Sequence, residues 1–325
     1  MNRTESNIEL LLKVAVYYYN ENMTQQEIAG KLGITRQSVS KYLDMAKEQG
    51  IVEIKVKNPL PETAVLEDEL VAGFAGSRLE RVVVVPGNFS EYELIRRVIA
   101  QRACDYLEEL LCVGNFRRIG LSWGRTVRDM VTQLPQICTE GRAEVVPLLG
   151  STDNSIPYFM INDMAREFAC KINGVTRQIF LPLDAECSED YQHYTTTRQY
   201  RSLMDLWMHL DLAIVGIGAN PLRTLSQRSH YPRESEIVES IEHRSPVGDI
   251  CTRYYDIKGN ILTSKSDFLI SIRPEILTDI PRVIALAGGM DKIQSLAGAI
   301  RSGMITDIIT DETTAKSLLA LSRWP

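Results

Sequence analysis

Ile8, Leu11, Leu12, Ala15, Val16 and Tyr19 recur at helical spacing, so the chain opens with a helix whose apolar residues share one face. Asn20-Glu21-Asn22 ends it. In Thr24-Gln25-Gln26-Glu27 the Thr hydroxyl and the Glu carboxylate can satisfy free N–H groups reciprocally, as a capping box does. This predicts a short second helix with Ile28, Ala29 and Leu32 inward, stopped by Gly33, which accepts the left-handed conformation cheaply. Thr35 is placed to cap a third helix whose core residues are Val39, Leu43 and Ala46, with Gly50 as its stop. Residues 51–57 alternate apolar and polar, as in a half-buried strand. Asn58-Pro-Leu-Pro61 forbids helix and reads as a linker.

Beyond a helical stretch over 62–76 the pattern changes. Short apolar runs alternate with helical segments. Strands are expected at 81–85, 118–122, 143–149, 175–181, 212–216, 283–287 and 305–310. Helices are expected at 91–111, 125–134, 158–172, 291–302 and 312–321. Such alternation predicts a mostly parallel sheet covered on both faces, hence an α/β fold. The domain plan is a winged helix-turn-helix over 1–57, a linker with its helix over 58–76, and a larger domain over 77–325. The polar stretch 220–246 carries no clear pattern.

Two short helices, a Gly turn and a following strand make a winged helix-turn-helix. The start of the third helix offers Arg36, Gln37, Ser38, Ser40 and Lys41, with the caps Thr24 and Thr35 and neighbouring Gln25 beside them. Arg bonds guanine bidentately, Gln bonds adenine, and Ser or Lys reaches phosphate or bases. The net charge of the 325-residue chain is −6, yet residues 1–58 hold eight Lys/Arg against seven Asp/Glu. From Ile28 to Leu43 there are three cations, Lys31, Arg36 and Lys41, and no acid. One small basic face makes few phosphate contacts, so useful affinity requires several copies on one DNA.

In the larger domain, Ser122-Trp123-Gly124-Arg125-Thr126 lies where a strand runs into a helix. Free N–H groups at a helix start bind anions, and these side chains add donors. Gly288-Gly289 before Lys292 repeats the logic, and two such turns at strand ends converge on the edge where α/β folds bind ligands. Asp249 either accepts hydrogen bonds from a ligand's donors or is an exposed capping residue. Gly218, like Gly216, allows close approach of a ligand or of a neighbouring element.

The run MTQQEIAGKLGITRQSVSKYLDMAKEQGIVEIKV resembles the N-terminal domain of the SorC/DeoR group of bacterial sugar-responsive transcription regulators. Further signatures of that group are Ile119-Gly-Leu-Ser-Trp-Gly-Arg-Thr126, Ala213-Ile-Val-Gly-Ile-Gly218, Pro246-Val-Gly-Asp-Ile-Cys251, Ala287-Gly-Gly-Met-Asp-Lys292 and Ile309-Thr-Asp-Glu-Thr-Thr-Ala315. The resemblance implies an effector domain with the fold of ribose-phosphate isomerase and glucosamine-phosphate deaminase-like proteins. Such a domain binds a sugar or sugar phosphate without transforming it. Some relatives carry a lysine that forms a Schiff base near the place read here as Leu149, and leucine has no amine. That stretch usually ends Gly-Gly, whereas here it is Gly150-Ser151, with Thr152 next in line to face ligand.

The alternative is a sugar-phosphate isomerase or deaminase fused to a DNA-binding head. That chemistry needs a positioned acid or base. His193, His209, His230 and His243 form no pair, and Asp311-Glu312 fits a helix cap with an acid in the first turn. No spacing suggests a metal, and no catalytic residue or cofactor is expected. The six cysteines are scattered and read as reduced, mostly buried thiols. No run is apolar enough for a membrane span and the start lacks a signal-peptide pattern, so a cytoplasmic location is expected. The expected partners are a palindromic operator DNA, a sugar or sugar-phosphate effector, and further copies of the chain as a homodimer or homotetramer.

Overall fold

The computed structural model describes residues 3–52, 63–137, 142–152, 156–224, 234–264 and 267–322. The chain forms two compact units, Met1–Pro59 and Leu60–Pro325.

In the smaller unit the first helix spans Arg3–Ala15 and continues as one wide turn over Val16–Asn20. Leu11, Val14 and Ala15 are buried, whereas Ile8 and Leu12 are about half exposed. The buried face is therefore rotated from the one the apolar spacing predicts. Periodicity finds an apolar stripe, but the packing partner decides which edge of it is covered. The second helix is Gln25–Leu32 and the third Arg36–Glu48. The Thr24–Glu27 capping box forms as expected, with the Glu27 N–H on Thr24 Oγ1 and the Thr24 N–H on the Glu27 carboxylate. Gly33 closes the second helix at φ 65°, and Thr35 Oγ1 accepts the Ser38 N–H at 3.1 Å. Val39, Leu43 and Ala46 are buried. Of the strand expected over 51–57, residues 53–57 lie outside the described residues, as do residues 58–61.

The larger unit is built on a seven-stranded sheet. Its strands are β1 (Arg81–Val85), β2 (Arg118–Leu121), β3 (Glu144–Pro147), β4 (Val175–Thr176), β5 (Leu212–Gly216), β9 (Arg282–Leu286) and β10 (Asp307–Asp311). A three-stranded antiparallel sheet, β6 (Gly248–Ile250), β7 (Arg253–Tyr255) and β8 (Ile261–Leu262), intervenes in the chain. The large sheet runs in the order β1-β10-β9-β5-β2-β3-β4, every pair parallel. Alternate residues feed two separate cores. Val83, Ile119, Leu121, Ile214 and Ile284 face one layer of helices, while Val82, Val84, Ala213, Val215 and Val283 face the other. Burial on both faces explains the unbroken apolar runs in the sequence.

The structure corrects several expectations. The strand over 175–181 shrinks to Val175–Thr176 at the sheet edge. The chain beyond it instead pairs with Ser151, whose N–H donates to Leu181 O and whose carbonyl accepts from the Leu183 N–H. The Thr63–Gly73 helix is not a free linker: Leu70 is buried and the Glu67 carboxylate accepts the Val84 N–H at 2.8 Å. The small sheet and the helices Ser188–Thr196, Arg198–Met208 and Glu234–Ile241 went unread. Of the five described cysteines only Cys104 and Cys251 are buried; Cys112 and Cys170 are exposed.

Asp311, at the end of β10, caps the last helix and ties down the loop after β9. Its buried carboxylate accepts the Thr314 N–H (3.0 Å), the Thr314 hydroxyl (2.6 Å) and the Gly289 N–H (2.9 Å). Asp311→Ala strands a buried donor and removes a cap, and is expected to cost about 2–4 kcal/mol. Urea unfolding of the full chain, followed by circular dichroism, measures it; an unshifted midpoint refutes the assignment.

Candidate functional site

The head presents Arg36, Gln37 and Lys41 exposed along the start of the third helix, with Ser40 half-buried. Thr35 and Ser38 are engaged with one another, their hydroxyl oxygens 2.8 Å apart, and Thr24 is engaged with Glu27. Thr24 and Thr35 act first as caps, and Ser38 is held by the Thr35 cap. Lys31 leaves the expected basic face: its ammonium lies 3.9 Å from the Tyr17 ring centroid and 3.7 Å from the Glu21 carboxylate. Arg36 instead borders an open groove lined by Tyr18, Tyr19, Thr24, Gln25 and Gln26.

In the larger unit a cavity of about 340 Å³ opens at the carboxyl ends of β2, β5 and β9. Those three strands are adjacent, and this is the edge at which parallel α/β sheets hold ligands. After β2, Trp123, Gly124, Arg125 and Thr126 line it. Arg128 is the first residue of the Arg125–Gln133 helix whose N–H reaches back to a backbone carbonyl, that of Gly124. The N–H groups ahead of it in the first turn have no partner within the helix. The Arg125 guanidinium lies 5.1 Å from the Tyr92 ring centroid, which also borders the cavity.

After β9 comes Lys292, only 8% exposed, whose ammonium donates to the Ile217 carbonyl at 2.8 Å. Burial pushes its pKa below the usual lysine value, and the nearby Arg125 charge pushes the same way. Asp291 and Asp249 oppose the shift. The Gly288-Gly289 turn is not the second backbone anion site that its sequence suggests, because the Gly289 N–H is held by Asp311 and Thr314. Its part is steric: a Cβ on Gly288 would lie 2.4 Å from both Asp311 Oδ2 and Ile99 Cδ1.

The small sheet and the start of the Glu234–Ile241 helix supply acceptors. Asp249 Oδ2 takes the Thr252 N–H at 3.0 Å, and Glu234, 5% exposed, takes the Tyr254 hydroxyl at 3.3 Å. All four line the cavity. Asp249 is thus a turn cap and a cavity residue at once. Gly218 also lines the cavity, and its missing side chain is explained by Asp249: a Cβ there would sit 1.7 Å from Asp249 Oδ1.

Four expected effector residues are not in the cavity lining. Ser122 is buried, accepts the Gly216 N–H and donates to Trp123 O, so it clasps β2 to β5. Gly150 packs on the Pro182 carbonyl, and Ser151 donates to Ile179 O. Thr152 follows them in this pairing loop. Glu234, Thr252, Tyr254 and Tyr92 were missed. Glu234 sits in the unassigned polar stretch, whose one signal was polarity with no period.

A DNA-reading head joined to a ligand cavity at the edge of a parallel sheet defines a ligand-controlled DNA-binding protein. Comparison with known proteins gives the family. A winged helix-turn-helix DNA-binding family matches residues 15–53, and the Sugar-bind family of sugar-binding domains matches residues 59–320. The chain is 30% identical over 315 residues to the sorbitol operon regulator of Klebsiella pneumoniae, spanning 96% of this chain and 98% of the relative. It is 28% identical over 312 residues to the deoxyribonucleoside regulator of Bacillus subtilis, spanning 96% and 97%. The crystal structure of the full-length Klebsiella regulator matches with a TM-score of 0.74 at 28% identity, over 96% and 98% of the two chains. The chain belongs to the SorC/DeoR family of sugar-binding transcription regulators. It is a DNA-binding regulator with a sugar effector, not an enzyme.

The buried ammonium of Lys292 is held at a cost to stability. Lys292→Met is expected to raise the unfolding free energy of the unliganded protein at pH 7 by about 1 kcal/mol or more. The folded-state pKa is depressed, so wild type binds fewer protons folded than unfolded, and its stability rises with pH up to the unfolded value near 10.5. The advantage of the variant therefore shrinks between pH 7 and 10.5. Paired thermal melts across that range check it; a constant or growing difference contradicts the assignment.

Proposed function

We propose that the effector is a sugar phosphate whose phosphate sits at the first turn of the Arg125–Gln133 helix. Arg125, Thr126 and Lys292 supply the donors there. Trp123, Gly124 and Gly218 shape the walls, and Asp249 with Glu234 accepts hydrogen bonds from the sugar hydroxyls. The observation that carries this reading is the convergence of both groups on one cavity, donors from the ends of β2 and β9 and acceptors from the small sheet and the start of the Glu234–Ile241 helix. The names of the two curated relatives, a sorbitol operon regulator and a deoxyribonucleoside regulator, support a carbohydrate operon as the target.

Arg36, Gln37, Ser40 and Lys41 read or grip operator DNA, with Gln25, the caps Thr24 and Thr35, and Ser38 beside them presenting the helix. Residues 1–57 form the head and residues 77–325 the effector and assembly domain. So few basic residues on one head favour a homodimer or homotetramer on a palindromic operator in the cytoplasm. Effector binding shifts the population between assembly geometries and so changes operator affinity.

Two substitutions separate the functions. Arg36→Ala is expected to weaken binding to DNA upstream of the regulated operon about tenfold or more in gel shifts while leaving sugar-phosphate affinity intact. An unchanged gel shift refutes its role. Arg125→Ala is expected to lower sugar-phosphate affinity about tenfold or more by isothermal titration with unliganded DNA binding unchanged. A retained effector response refutes the phosphate assignment.

A further inference from the structure

The turn between β6 and β7 departs from what its geometry prefers. Ile250 and Arg253 pair across it, leaving Cys251 and Thr252 as a two-residue connection with consecutive positive φ values of 50° and 64°. Such turns ordinarily take Asn-Gly, because a Cβ in the left-handed region crowds the following carbonyl, and most of all when it is β-branched. The other non-glycine residues at positive φ among those described are Asn22, Asn173 and Ser245. Thr252 alone of this set is β-branched.

The surroundings hold the strained turn in place. Asp249 accepts the Thr252 N–H, and both the Ser271 and the Thr252 hydroxyls donate to Cys251 O at 2.5 Å. Cys251 and Thr252 both line the effector cavity. Strain that persists at a cavity wall, where a cheaper residue pair would close the turn, points to a use for the side chain.

With its hydrogen given to Cys251 O, Thr252 Oγ1 keeps only acceptor capacity, on a residue that lines the cavity. It joins the Asp249 and Glu234 carboxylates in one acceptor set contributed by the small-sheet side of the cavity. A ligand that meets this set must present donors, which for a polyhydroxylated chain means neighbouring hydroxyl groups. We propose that Thr252 is a specificity-determining residue that accepts a hydrogen bond from an effector hydroxyl. On this account the strained turn is retained because glycine would remove that acceptor. The inference rests on the sugar-phosphate reading of the site.

The test uses the full chain with Thr252→Gly and Thr252→Ser. Sorbitol 6-phosphate, ribose 5-phosphate and inorganic phosphate are the titrated probes, and each variant is also melted. Thr252→Gly is expected to raise the unfolding temperature by about 2 °C or more as strain is relieved. It is expected to lower affinity about tenfold for whichever sugar phosphate wild type prefers, and so to compress the ratio between the two. Inorganic phosphate, bound away from the turn, keeps its affinity within about twofold. Thr252→Ser, which keeps the hydroxyl, retains the wild-type ratio. An unchanged ratio in Thr252→Gly overturns the inference while leaving the sugar-phosphate site standing. So does a ratio lost equally in Thr252→Ser. If wild type binds neither sugar phosphate, the reading of the site falls and the inference falls with it.

Discussion

A single buried carboxylate organises the functional edge of the larger unit. Asp311 ends β10, begins the last helix and holds the loop after β9 through the Gly289 N–H. That loop must turn tightly, because Gly288 passes too close to Asp311 and Ile99 for any side chain. The tight turn leads directly into Lys292 and aims its ammonium at the Ile217 carbonyl, on the loop after β5. Three neighbouring pieces of the sheet edge are thereby set relative to one another by hydrogen bonds that water does not reach. In a low-dielectric setting each such bond is strong and costly to lose, so the loops have one geometry rather than several.

The cavity built on this edge is held at the expense of stability. It buries a lysine ammonium and keeps a β-branched residue at positive φ. Each carries a cost: the ammonium gives up hydration for its one bond to Ile217, and the turn carries backbone strain. Their presence on one cavity has a physical logic. A cation already stripped of water binds an anion without a further desolvation cost, and a rigid turn holds its acceptor in place before the ligand arrives. The scaffold accommodates the expense elsewhere, in two apolar layers that cover both faces of seven parallel strands.

The head works under the opposite constraint. It is small, its core is a handful of residues, and its caps define where each helix begins. Thr24, Thr35 and Ser38 spend their hydroxyls on the protein, and Lys31 is tied to Tyr17 and Glu21. Among the described residues, a short row around Arg36 stays exposed at the start of the third helix. Few phosphate contacts mean weak binding for one copy.

Features that depend on residues a few positions apart were legible in the sequence. The capping box at Thr24, the cap at Thr35, the left-handed Gly33 and the cap at Asp311 are each closed within three or four residues, so local chemistry determines them. The parallel strands were legible because burial on both faces leaves unbroken apolar runs, and the family because its signatures span the chain. Tertiary structure decided whatever depends on partners distant in sequence. Ser122 reads as a ligand donor until β5 arrives to occupy it, and the Gly289 N–H reads as an anion site until Asp311 takes it. Gly218 reads as room for a ligand or for a neighbouring element, and the folded chain puts Asp249 beside it at the cavity wall. The small sheet has strands of two or three residues, too short to show a period, and it brings Thr252 and Tyr254 to the cavity, where Glu234 joins them from the start of its own helix. A sequence states which groups a residue can bond; only the folded chain states which of those bonds are already taken.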